Sequence, residues 1–109
     1  MYTTHSPIKT NGTLSPSNPT AIVRMLVPPN DLPIAPFSVG VTPGLGASVS
    51  VQFSLDFGAD NPANMSSVNW FPWSLGTVSV ASSSTFNSGC VALQFTLVSG
   101  TSAAFAVNG

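Results

Sequence analysis

Charge is what this chain has least of. Lys and Arg together number 2, Asp and Glu 3, and charged side chains make up 5% of 109 residues, against about 25% in an ordinary soluble domain. A protein that grips nucleic acid needs Lys and Arg to neutralise phosphates, so that class is excluded. Anionic lipid asks for the same basic patch, and binding to it is disfavoured for the same reason. Cysteine is nearly absent too. Cys90 is the only one, so no internal disulfide staples the fold. No apolar run reaches the roughly 18 residues of a membrane-crossing helix. The stretch MYTTHSPIKTNGTLSPSNPT offers no apolar core for a signal peptide, and secretion by that route is not expected.

The hydrophobic fraction, 43%, is ordinary; Ser, Thr, Asn, Gly and Pro have taken the place of charge. A net charge of −1 gives little self-repulsion, so copies should associate readily. Burying a hydroxyl costs less than burying an ion, and protein interfaces are depleted in charge for that reason. Two readings follow: a protein buried in an assembly, or a secreted protein of low-charge style. The first is favoured.

One domain is expected from the length. Residues 1–19 are rich in Thr, Ser, Pro and Asn without periodicity and read as an extended or flexible N-terminal arm. From residue 20 to 109 the signal is β throughout. Thr20–Val27 is a short apolar run stopped by Pro28-Pro29. Pro33–Val41 places Phe37, Val39 and Val41 on one face. Thr42-Pro43-Gly44-Leu45-Gly46 is turn chemistry and predicts a hairpin to the next strand. Ser74–Ser83 reads as one strand with Val78 and Val80 in alternation. Cys90–Ser99 and the segment around Phe105 and Val107 predict a closing hairpin. No window carries helical periodicity with caps. Six or so short strands predict an all-β fold: a small antiparallel β-sandwich or a jelly-roll-like barrel, with the N-terminal arm outside it.

The central strand, ASVSVQFSLDF, poses the functional question. Val49, Val51, Phe53, Leu55 and Phe57 share one face by period two. The intervening positions, Ser48, Ser50, Gln52, Ser54 and Asp56, are polar yet almost uncharged, and the first four are uncharged where a solvent-facing strand usually carries Lys or Glu. These four are candidate interface residues. A second candidate is NWFPWSLG, where Trp70, Phe71 and Trp73 surround Pro72. Three aromatics this close cannot all point inward from one extended segment. They read as caps on the end of a sandwich, as anchors in a protein interface, or as stacking platforms for sugar rings.

Catalytic constellations are missing. His5 has no second histidine or nearby acid to share a metal. Cys90 has no His or Lys neighbour in sequence to lower its pKa. Asp56-Phe57-Gly58 spells the kinase magnesium tripeptide by chance, since the chain has no room for the motifs that give it meaning. DFGADN brings Asp56, Asp60 and Asn61 onto one turn, but calcium loops need more oxygen donors at fixed spacing. The same acids lack a partner for glycoside hydrolysis. Asn11-Gly12-Thr13 and Asn64-Met65-Ser66 match glycosylation sequons, idle without secretion. No enzyme activity, cofactor or metal is expected.

PFSVGVTPGLGASVSVQFSLDF, followed by a Trp-containing segment and then CVALQFTLVSGTSAAFAVNG, resembles the small virion structural proteins of tailed bacteriophages. The resemblance spans roughly Pro33 to Val107 and consists of strand and turn patterns. This chain departs from that pattern at Asp56-Phe57-Gly58 and at Gln94. The resemblance implies a β-sandwich on the particle surface, made in the host cytoplasm, that decorates or cements the capsid. Its implied partners are the major capsid protein and further copies of itself, as a trimer, with no nucleic acid or membrane. Two rivals are kept: a tail, head–tail or fibre-base component, and a carbohydrate-binding module using Trp70 and Trp73.

Overall fold

A computed structural model describes residues 9–27, 32–33, 35–64 and 66–109. The fold is all-β, as expected. Its strands are β1 (Lys9–Leu14), β2 (Thr20–Arg24), β3 (Leu26–Val27), β4 (Leu32–Pro33), β5 (Phe37–Pro43), β6 (Ser48–Ser54), β7 (Phe71–Val78), β8 (Ser82–Phe86), β9 (Ala92–Ser99) and β10 (Ala103–Asn108). A 3-10 turn, Pro62–Asn64, interrupts the long loop after β6. Two four-stranded antiparallel sheets face each other, one in the order β1-β10-β5-β8 and the other β2-β9-β6-β7. Leaving aside the small β3–β4 ribbon, only the step from β6 to β7 stays within one sheet. Every other connection passes from one sheet to the other, which is the strand arrangement of a jelly roll.

That topology corrects both predicted hairpins. β5 and β6 lie in opposite sheets, as do β9 and β10. Turn residues establish that the chain reverses, but not which sheet receives it. Here each reversal is an arch that sets one apolar face against the other: Val39 and Val41 of β5 meet Val49 and Val51 of β6 in the same core. Gly100 makes the β9–β10 arch possible. Its φ is +92°, and a Cβ there would lie 2.5 Å from the Ala47 backbone, so only glycine fits.

The N-terminal arm is corrected in part. Residues 1–8 lie outside the described residues, but Lys9–Leu14 is not an arm. It is the edge strand of the first sheet, paired along its length with β10. Leu14 is fully buried, and the ring of Phe105 lies against Gly12, where a Cβ would come within 2.7 Å of it. KTNGTL carries one large apolar residue in six, too few to display a period of two. Its pairing is imposed by β10.

Aromatic contacts run through the core. Phe95 of β9 stacks on Phe105 of β10 across the two sheets at 4.3 Å, while Phe37 of β5 stacks on Phe86 of β8 within the first sheet at 4.6 Å. β7 also departs from expectation. It ends at Val78, a turn follows with Val80 exposed, and the Ser-rich segment Ser82–Phe86 forms a separate strand.

Candidate functional site

The face singled out on β6 is covered at one end by its own chain. Strand pairing sets Ser50 beside Thr96, Gln52 beside Gln94 and Ser54 beside Ala92 on the outer side of the second sheet. The loop after β6 folds back over one end of that side. There Ala59 packs with Leu26, Val91 and Ala92, joined by the half-buried Ile22, Val68 and Trp70. Ser54 is wholly buried, and its hydroxyl accepts the Asp56 backbone N–H. Ser50 and Gln52 are half-buried. Ser48, also half-buried, exchanges a hydroxyl hydrogen bond with Ser99 at 2.8 Å. Ser54 is therefore removed from the interface candidates; Ser48, Ser50 and Gln52 remain accessible only in part. Leu55 and Phe57 do not continue the inner face either: β6 ends at Ser54, and both side chains are exposed.

The loop is tied down by the acids that a calcium site would have used. Asp56 Oδ2 accepts the Asn69 N–H at 2.7 Å. Asp60 Oδ2 pairs with Arg24 Nε at 2.9 Å. Asn61 Oδ1 accepts the Ala63 N–H in an Asx turn. Among the described residues no three His, Cys, Asp or Glu side chains gather to hold a metal.

The aromatic cluster divides among three environments. Trp73 is core, 3% exposed, with its indole N–H donated to the Gly76 carbonyl. A bulge in β7 allows this. Gln52 pairs with Pro72 and Ser50 with Thr77, so Trp73–Gly76 arches out opposite Val51 and aims the indole inward. Trp70 is half-buried in the loop cluster. Phe71 alone is exposed, tilted against Phe53 at 5.8 Å. Trp73 is thus no platform for a sugar ring, nor an interface anchor on this surface.

Cys90 is buried, and burial pushes its thiol up to about 12, with a backbone hydrogen bond from Ala92 pulling the other way. It stays protonated and inert as a nucleophile at neutral pH. Native protein should react with a thiol reagent at least about tenfold more slowly than unfolded protein. The raised pKa also fixes a sign. Below the unfolded value of 9.0 both states keep the proton, and stability is unaffected. Above it the unfolded chain loses the proton first, so stability falls as pH climbs towards 12. Cys90→Ser should flatten that alkaline decline in urea melts at stepped pH.

The surface that stands open is one the sequence did not single out: the outer side of the first sheet. Register places Thr13, Ala104 and Thr42 in one row, Asn11, Ala106, Gly40 and Ser83 in the next, and Lys9, Asn108, Ser38 and Thr85 in a third. Of the ten besides Lys9, all but the half-exposed Gly40 are exposed. None of those ten is charged, and none is larger than Asn. A shallow trough of about 440 Å³ runs between Asn11, Gly40 and Phe105. Alternation in β5 and β10 carried this signal, but no single strand shows that their polar faces coincide with those of β1 and β8. Away from Lys9, such a face of hydroxyls, amides and methyls brings a second surface into contact without stranding an ion.

Beside this face, where β8 and β7 form the open flank of the sandwich, lies an aromatic-floored groove of about 380 Å³. Phe53 meets Phe86 edge-on at 5.6 Å at its base, Leu55 and Asn87 line it, and Ser74 and Ser84 oppose each other at 3.5 Å across the two sheets.

The chain matches no family model, no curated protein and no solved structure.

Proposed function

We propose that this chain is a non-enzymatic structural protein of a tailed-bacteriophage particle, decorating or cementing the capsid by binding capsid-protein junctions as a homo-oligomer. The observation that carries the reading is the outer side of the first sheet: ten exposed or half-exposed positions from Asn11 to Asn108 are uncharged, and Lys9 at the start of the edge strand is the one charged residue in their rows. A domain that works alone in water has little use for such a face. A domain that works against another protein gains from it, because hydroxyl and amide groups re-pair across a contact at lower desolvation cost than ions. The jelly-roll order agrees with the sequence resemblance by analogy only, since the fold also serves lectins and enzymes. The glycan-binding alternative is weakened, because Trp73 is core and Trp70 half-buried.

Quantitative mass spectrometry of purified particles tests the proposal. A copy number near that of the major capsid subunit, or a simple fraction of it, is the expected result. A handful of copies would move the chain to the tail or head–tail region, and absence from particles would end the virion reading. Binding without ion pairs should also resist salt, so washing particles at high ionic strength is expected to leave the chain attached.

A further inference from the structure

Four strands bound the two sheets: β1 and β8 on one, β2 and β7 on the other. An open edge invites strand addition, and proteins guard against it with a charge, a proline or a bulge. β1 opens with Lys9. β2 ends in Arg24. β7 contains Pro72 and the Trp73–Gly76 bulge. β8 has none of these: SSSTF is uncharged and free of proline, and it pairs with β5 in unbroken register from Phe86 to Ser82.

We infer that β8 is a self-association edge, pairing antiparallel with β8 of a second copy across a two-fold axis. A register centred on Ser84 uses all five residues, sets Ser83 opposite Thr85 on the outer side, and gives the hydroxyl-to-hydroxyl pairing that antiparallel strands favour. Lack of charge selects the occupant. A charged partner strand finds no counter-charge on this edge, whereas an identical strand meets itself without repulsion, as a two-fold interface requires. The flank supplies apolar area that one strand pair lacks, since the exposed Leu55 lines the groove beside β8 and the exposed Phe71 lies against Phe53, which lines the same groove. Pairing also joins two copies of the first sheet into one eight-stranded sheet and doubles the uncharged face. The inference rests on the self-association in the proposed function, but not on the capsid.

The test uses the purified chain in sedimentation velocity and light scattering, with circular dichroism to confirm folding. Wild type is expected to be a dimer. The doubly substituted S83K/T85K and S83D/T85D chains, altered at exposed positions, should each be monomeric, with the dissociation constant raised at least about tenfold. Mixing the two should restore a heterodimer. Thr13→Lys, on the opposite edge of the same sheet, should leave the dimer intact. The inference is overturned if wild type is monomeric or trimeric, if Thr13→Lys dissociates it equally, or if mixing restores nothing. A monomer that still binds particles through β8 would assign the edge to another chain and overturn the self-pairing. None of these results bears on copy number per particle, so the two proposals fail separately.

Discussion

Replacing Trp73 by alanine is expected to lower stability by about 3–5 kcal/mol, the range for truncating a buried indole. In a domain of this size that lowers the melting temperature by on the order of 15 °C. The indole fills the core at the edge of the second sheet and bonds to the Gly76 carbonyl within its own bulge. Removing it leaves a cavity and an unmatched carbonyl together. A sugar-stacking role makes the opposite forecast: intact stability with lost binding. Phe71→Ala is the control, because that ring is 45% exposed and its loss should cost under about 1 kcal/mol. Differential scanning calorimetry of the two variants separates the cases.

Deleting residues 2–14 is expected to abolish cooperative unfolding altogether. Leu14 is fully buried, and a residue of its kind contributes about 2–5 kcal/mol. The deletion also strips β10 of its partner from Ala103 to Asn108 and uncovers the ring of Phe105. Those losses reach the about 5–15 kcal/mol of total stability available to a domain. Had residues 1–19 all been an arm, the truncated chain would melt like the full one. Thermal melts followed by near-ultraviolet circular dichroism distinguish the outcomes. The result also guards binding experiments, because a truncation reaching into β1 removes function by unfolding.

What the sequence by itself determined was the material of the fold and the character of its surface. Period-two alternation at Val39 and Val41, at Val49 and Val51, and at Leu93, Phe95 and Leu97 marked strands whose inner faces are the core, because burial acts on each strand separately. Scarcity of charge was equally plain, being a property of composition. Local pattern failed where pairing was decided from a distance. β1 and β8, with one large apolar residue apiece in KTNGTL and SSSTF, are strands because β10 and β5 offer them partners. Turns at Gly46 and Gly100 were legible, yet each joins two sheets, since arching sets two apolar faces together where a hairpin would lay them side by side. Trp73 turned inward through a bulge that register alone reveals. Tertiary structure also chose which uncharged face stays open. It buried Ser54 where a loop folds over that end of the second sheet and left Asn11, Thr13, Ser38, Thr42, Ser83, Thr85, Ala104 and Ala106 bare, because an outer surface is made by strands far apart in the chain and exists only once the sheet has formed.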